Sequence, residues 1–240
     1  VLAAFLHRNG DAEPPRSNPT IMAAHNIVVF DLDGTLIDSA PAIAASVNHV
    51  RSVFDRAPLG VEVVKSFMGD GVEAVIDRAL AIDDGDPAVD RAAALRLFLQ
   101  HHESDAAHDI AIYPGADALL ERLVADGYVV ALCTNKLTRL TLPLVAKLGW
   151  ADHFRSIMCG DTLPTRKPDP ALLWSAIAQC GGGKAVFVGD TRVDMMTARE
   201  ANVPFILVHR DNGYAGDLKG TSKTADDLDT LRSKIDASFL

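Results

Sequence analysis

Four short apolar runs, Ile27–Phe30, Tyr128–Cys133, Lys184–Val188 and Pro204–Val208, limit the architectures open to this chain. They are continuous rather than alternating, rich in Val, Ile and Phe, and bounded by Gly or Asp. Strands of a parallel sheet covered on both faces read this way. Phe154–Cys159 is a weaker fifth candidate. Helical patterns lie between the runs. Leu119, Leu120, Leu123 and Val124 recur at helical spacing between Pro114 and Gly127. Asp169 is placed to cap a helix with Pro170 at its first position and Leu173, Ala176, Ile177 and Cys180 on one stripe, ending at Gly181. Alternating strand and helix predict a doubly wound α/β core.

The first and second strands are too far apart for one crossover. Residues 38–112 read almost wholly as helix: one stripe at Ile43, Val47, Val50 and Phe54, a second at Val72, Val75, Ile76, Ala79 and Leu80, and a third helix opened by Asp86-Pro87 and running through Leu99. Such stripes bury most economically against one another. The expected organisation is therefore a helical insert, 38–112, carried on a core of 25–37 and 113–240. Residues 1–24 read as a poorly ordered extension, with Met22 just before the first strand.

Composition narrows the function classes. The 23 Lys and Arg against 32 Asp and Glu give a net charge of −9, which argues against gripping a nucleic-acid backbone. A small anionic substrate stays open, because it responds to local fields. No apolar run approaches the roughly 18 residues of a membrane span. Cys133, Cys159 and Cys180 lack metal-binding spacing and suit buried thiols in a reducing compartment, so a cytoplasmic monomer or homodimer is expected.

The chemistry concentrates at the strand ends. Asp31 and Asp33, in Asp31-Leu32-Asp33-Gly34-Thr35, follow the first strand and point to the crevice where open parallel sheets bind ligands. Two carboxylates so close repel by about 4 kcal/mol at an effective dielectric of about 20, which a cation or a retained proton would relieve. Thr134, Asn135 and Lys136 follow the second strand, offering a hydroxyl and N–H groups where a helix is expected to begin, a seat for an anion. Asp190 and Asp194 follow the third, spaced to face one way on a helical turn. Lys167 stands before another helix start. Singly these read as a solvated turn, a helix cap and a surface lysine; four together at successive junctions read as one site.

These four segments resemble the motifs of the haloacid dehalogenase superfamily of phosphohydrolases, in order and spacing, over about residues 26–215, with the helical insert where that family carries a cap. Within it, Asp31–Pro41 and Gly160–Pro170 look most like phosphoglycolate phosphatases. The resemblance implies Asp31 as nucleophile, forming an aspartyl-phosphate, and Asp33 as acid and then base. It implies Thr134 and the Asn135 N–H gripping phosphate oxygens and Lys167 neutralising charge. It further implies Mg²⁺ held by Asp31, Asp33 (through its carbonyl), Asp190 and Asp194, the last holding a water or Lys167. The substrate would be a small phosphorylated metabolite, 2-phosphoglycolate first; a phosphosugar mutase, or a phosphatase of sugar or nucleotide phosphates, would use the same aspartates. Thr35 favours hydrolysis over transfer within the family. A phospho-accepting switch would place similar residues but needs no lid.

Gly69-Asp70-Gly71 resembles the family's substrate-facing cap loop, although it also reads as a plain turn before the Gly71–Leu80 helix. Asp70 there would repel a carboxylate-bearing substrate unless Arg78 or Lys65 offset it. His101, His102 and His108 read as a solvated helix end rather than a metal site. Met195 and Met196 are expected to pack a helix on the sheet, and Trp150 and Trp174 to lie in or at the edge of the core.

Overall fold

The computed structural model describes residues 25–82, 89–104, 110–208, 223–225 and 228–239. The expected extension 1–24, His108 and Asp86-Pro87 lie outside them. The core is one six-stranded sheet built from β1 (His25–Phe30), β4 (Val129–Cys133), β5 (Phe154–Met158), β6 (Gly183–Gly189), β7 (Phe205–Val208) and β8 (Lys223–Ala225). The strand order is β5-β4-β1-β6-β7-β8 and every pairing is parallel. All five strands expected from apolar runs are present.

Alternate residues of each central strand enter opposite cores, as the pleat requires. Val28, Phe30, Val130, Leu132, Val186 and Val188 pack on one face with α5 (Ala116–Ala125) and α9 (Leu228–Asp236). Ile27, Val29, Ala131, Cys133 and Phe187 pack on the other with α7 (Ala171–Gln179) and α8 (Arg192–Ala201). The three cysteines are buried free thiols. Trp150 is buried and donates to Asp117 at 2.5 Å, while Trp174, against expectation, is 52% exposed, its indole N–H on the Ala201 carbonyl.

The segment between β2 (Ile37–Asp38) and β3 (Ala111–Ile112) holds α1 (Ala40–Val53), α2 (Val61–Lys65), α3 (Val72–Ala81) and α4 (Arg91–Ser104). These helices share their own apolar core, including Val47, Val50, Val64, Ile76, Leu80 and Phe98. β2 and β3 pair antiparallel, so the chain leaves and re-enters the sheet domain side by side. No helix of the described residues is long and apolar enough to cross a membrane.

Several local expectations shift. Val124 is 43% exposed, because the buried stripe of α5 narrows to Leu119, Leu120 and Leu123. Met195 packs against Leu207, but Met196, one residue and about 100° further round the helix, faces outward. The third insert helix starts at Arg91, with Asp90 accepting from the Ala92 and Ala93 N–H groups at its first turn. α7 begins one residue later than read, with Pro170 at its N-cap and Asp169 accepting from the Ala171 N–H at 2.9 Å. His102 is buried rather than solvated: its ring stacks on Phe98, and its Nδ1 lies 3.1 Å from the Ser46 hydroxyl.

Candidate active site

β1 lies between β4 and β6, and the chain turns toward opposite sides of the sheet after them, which makes this strand boundary the crevice of a doubly wound fold. The ladder runs one step past the strands: the Asp31 N–H donates to the Val188 carbonyl at 2.8 Å and the Thr134 N–H to the Met158 carbonyl at 2.9 Å. Asp31 and Thr134 are thereby fixed by backbone rather than by side-chain packing. Beyond Asp31, the Leu32 carbonyl accepts from Thr35, Leu36 and Ile37, a tight turn that carries Asp33 and Gly34 over the strand ends.

One cavity between sheet and insert is lined by Asp31, Asp33, Thr134, Asn135, Lys167 and Asp190, together with Gly69 and Gly71 from the insert. Of the residues singled out in the sequence, the structure brings these eight together, and Asp194 lies just behind them. Asp70 is not among them. It turns outward, and its carboxylate accepts from the Arg78 guanidinium, which also donates to the Phe67 carbonyl.

Lys167 is the hinge of the electrostatics. Its ammonium, buried, lies 2.6 Å from Asp194 Oδ1 and 2.8 Å from Asp31 Oδ1. Burial alone would lower this ammonium, but Asp194 and Asp31 overcome it and hold it above its ordinary range. Asp194 spends both oxygens on the protein: Oδ1 accepts from Lys167, while Oδ2 accepts from the Thr191 N–H and hydroxyl in a capping box that starts α8. Asp31 is less well satisfied. Despite the nearby ammonium, its Oδ1 is buried and out of alignment for a hydrogen bond.

Asp31, Asp190 and Asp194 each present an oxygen within 4.8 Å of the others. Burial pushes the Asp31 carboxyl up to about 7, with Lys167 offsetting part of the effect and Asp194 adding to it. Asp190, half-buried, is raised well above its ordinary value by burial and by the same two carboxylates. An oxygen-only donor set, crowded enough to retain protons and holding a buried carboxylate oxygen that lacks a hydrogen bond, fits a hard divalent cation.

Gly34 is required by this crowding. Its φ is +84°, and a Cβ there would sit 2.1 Å from Asp190 Oδ2, whose partner oxygen accepts from the Thr35 hydroxyl at 3.0 Å. Gly34→Ala is expected to push Asp190 aside, weakening divalent-metal affinity by at least about tenfold and lowering Tm, since a side chain in this backbone region alone costs about 1–2 kcal/mol. Calorimetric titration and a melting curve check both.

Two contacts were not apparent from spacing. Lys136, buried, pairs with both Asp33 oxygens at 3.0 and 3.2 Å. Burial alone would raise Asp33, but Lys136 outweighs it and holds the carboxyl below its usual range. The Asn135 side chain is a clamp: its Oδ1 accepts from the Lys167 N–H, and its Nδ2 donates to the Lys167 and Gly69 carbonyls. It ties the lysine's backbone to the insert. Helix α6 (Thr138–Lys147) begins later than expected after Thr134, and Asp161, from another loop, accepts from its Thr138 N–H and hydroxyl. The Thr134 hydroxyl accepts from the Lys136 N–H at 3.2 Å instead of capping a helix.

A parallel sheet with a lysine and several carboxylates gathered at its carboxyl edge, under a helical lid, marks a doubly wound α/β protein with an aspartate-centred cleft. The sequence profile of haloacid dehalogenase-like hydrolases matches residues 28–208, and the chain belongs to that family. It is 40% identical over 181 residues to the phosphoglycolate phosphatase of Cereibacter sphaeroides, covering 75% of this chain and 83% of that protein. Identity to the phosphoglycolate phosphatase of Pseudomonas fluorescens is 38% over 219 residues, covering 87% and 78%. The crystal structure of a predicted phosphoglycolate phosphatase from Haemophilus somnus superposes with a TM-score of 0.79 at 26% identity, covering 89% of this chain and 99% of that one.

Proposed function

We propose that the protein is a Mg²⁺-dependent phosphatase that hydrolyses 2-phosphoglycolate through an aspartyl-phosphate on Asp31. The observation that carries the reading is the convergence of Asp31, Asp33, Thr134 and Lys167 on one cavity beside the Asp31, Asp190 and Asp194 cluster. The 40% identity to a phosphoglycolate phosphatase supports the substrate.

In this reading a carboxylate oxygen of Asp31 attacks phosphorus as the ester P–O bond breaks, and the departing alkoxide takes a proton from Asp33. Water then attacks phosphorus, Asp33 receives its proton, and the Asp31–phosphorus bond breaks. Thr134 and the Asn135 N–H bind phosphoryl oxygens, and Lys167 neutralises charge that grows in the transition state. Mg²⁺, when held by Asp31, Asp190 and the Asp33 carbonyl, supplies positive charge against the dianionic phosphoryl group. Asp194 serves mainly by aiming Lys167, because both its oxygens are engaged. The Lys136 pair keeps Asp33 ionised at rest, the form that the water step needs. A dianion arriving beside them competes for Lys136 and raises Asp33, the direction that the first step needs.

Initial rates on 2-phosphoglycolate, on sugar and nucleotide monophosphates, and on ethyl phosphate, with Mg²⁺ and with chelator, test the assignment. The expected result is Mg²⁺-dependent phosphate release fastest from 2-phosphoglycolate. Conserved total ester with isomerised product would assign a mutase instead.

The insert-to-core ion pairs, Arg166 with Glu73 at 2.7 Å and Arg139 with Glu103 at 2.6 Å, hold the lid over the cleft. Exposed as they are, each contributes under about 1 kcal/mol, little enough for the lid to open for exchange.

A further inference from the structure

The basic groups around the cavity are almost all spoken for. Lys136 is paired with Asp33, and Lys167 with Asp31 and Asp194. Arg78 is held by Asp70, and Arg166 by Glu73. Lys65 differs. It stands in the last turn of α2, is half-buried, lines the same cavity, and has no carboxylate partner among the described residues. The insert side of the cavity is otherwise lined mainly by apolar side chains, Ile43, Met68, Val72 and Phe98 among them, with Ser39 and His102 the polar ones.

The cavity is thus polarised. Its floor carries the phosphoryl-handling side chains from the sheet, and its roof carries a lysine that has no carboxylate partner among the described residues, beside a largely apolar lining. A half-buried ammonium without a partner gains most from an anionic ligand group, because apolar surroundings weaken its solvation and strengthen a charge-assisted hydrogen bond. Asp70, the one acidic residue of the adjoining loop that would compete for it, is turned away and neutralised by Arg78.

We propose that Lys65 receives the substrate's carboxylate and so determines specificity for monoesters that carry a second anionic end. This rests on the phosphoglycolate reading above, and assigns its selectivity to one side chain. Asp70 takes no part in recognition, and Arg78, which also donates to the Phe67 carbonyl, keeps Asp70 out of the cavity.

The test compares Lys65→Met and Lys65→Arg with the native enzyme on 2-phosphoglycolate and on ethyl phosphate, which keeps two carbons and lacks the carboxylate. For Lys65→Met, kcat/KM on 2-phosphoglycolate is expected to fall by about 10- to 100-fold, chiefly through KM, as for loss of one charged hydrogen bond. Ethyl phosphate turnover should be unchanged, and Lys65→Arg should recover most of the loss. A parallel fall on both substrates, or an unaltered preference, overturns the role of Lys65 while leaving the phosphatase assignment standing. A native enzyme with no preference for 2-phosphoglycolate over ethyl phosphate overturns the substrate reading, and the Lys65 proposal with it. Unchanged melting temperatures of both variants exclude a folding defect as the cause.

Discussion

Asp31→Asn abolishes turnover of every phosphate monoester, by at least about 10⁴-fold, because an amide cannot replace the attacking carboxylate and the groups around it act as a unit. The fold survives, since the Asp31 backbone N–H stays on the Val188 carbonyl and Lys167 keeps Asp194 as a partner. Stability adds a second readout, best taken without metal. The folded carboxyl titrates at about 7 against an ordinary 3.8, so the fold favours the protonated form. That contribution is full below about pH 3.8 and is lost as pH rises through about 7, at about 1.4 kcal/mol per tenfold change in acidity. The metal-free variant is therefore expected to match the native protein near pH 4 and exceed it by on the order of 4 kcal/mol at pH 8. Denaturant melts across pH check this, and a constant difference between the two proteins would contradict it. Saturating Mg²⁺ should reverse the ranking at pH 8, because only the native carboxylate gains from the ion.

Asp33→Asn separates the two chemical steps. With an aryl phosphate, whose leaving group needs no proton, the variant is expected to become phosphorylated on Asp31 and then stall, with steady-state turnover lower by about 10²–10⁴-fold. A burst of one phenolate per active site, and the added mass of one phosphoryl group in acid-quenched protein, are the measurements. Loss of the burst together with turnover would remove Asp33 from the water step. The substitution also strands Lys136, whose ammonium is buried against that carboxylate, so a stability loss of about 3 kcal/mol is expected even where chemistry is bypassed. This separates the variant from Asp31→Asn, whose neighbouring Lys167 keeps Asp194 as a partner.

The strand runs and the polar residues following them were readable from the sequence for a physical reason. A strand covered on both faces must be apolar throughout, so the first polar residues after it stand out, and at the carboxyl edge those are the residues facing the crevice. Asp31, Asp33, Thr134 and Asp190 announce themselves in this way, whereas Lys167 is read from the helix start that follows it and Asp194 from its spacing to Asp190. β8, of three residues on the sheet edge, lacks such a run and was missed. Spacing is equally silent about partners distant in sequence. Nothing near Lys136 points to Asp33, 103 positions away, and nothing near Asn135 shows that its amide spans Lys167 and Gly69. Arg51 sits on an apolar stripe of α1 yet is buried, its guanidinium donating to the Ala57 and Ala79 carbonyls. Buried polar groups of this kind satisfy carbonyls that only the assembled insert brings within reach.

The antiparallel pairing of β2 with β3 has a consequence for how such a catalyst diversifies. Both ends of the insert meet at one narrow ribbon, and among the described residues none between them belongs to a strand of the six-stranded sheet. Selection can therefore remodel or graft the whole roof without disturbing the register of the strands that align Asp31 and Thr134. New substrate tastes arise on one side of the ribbon while the machinery of bond cleavage is inherited intact on the other.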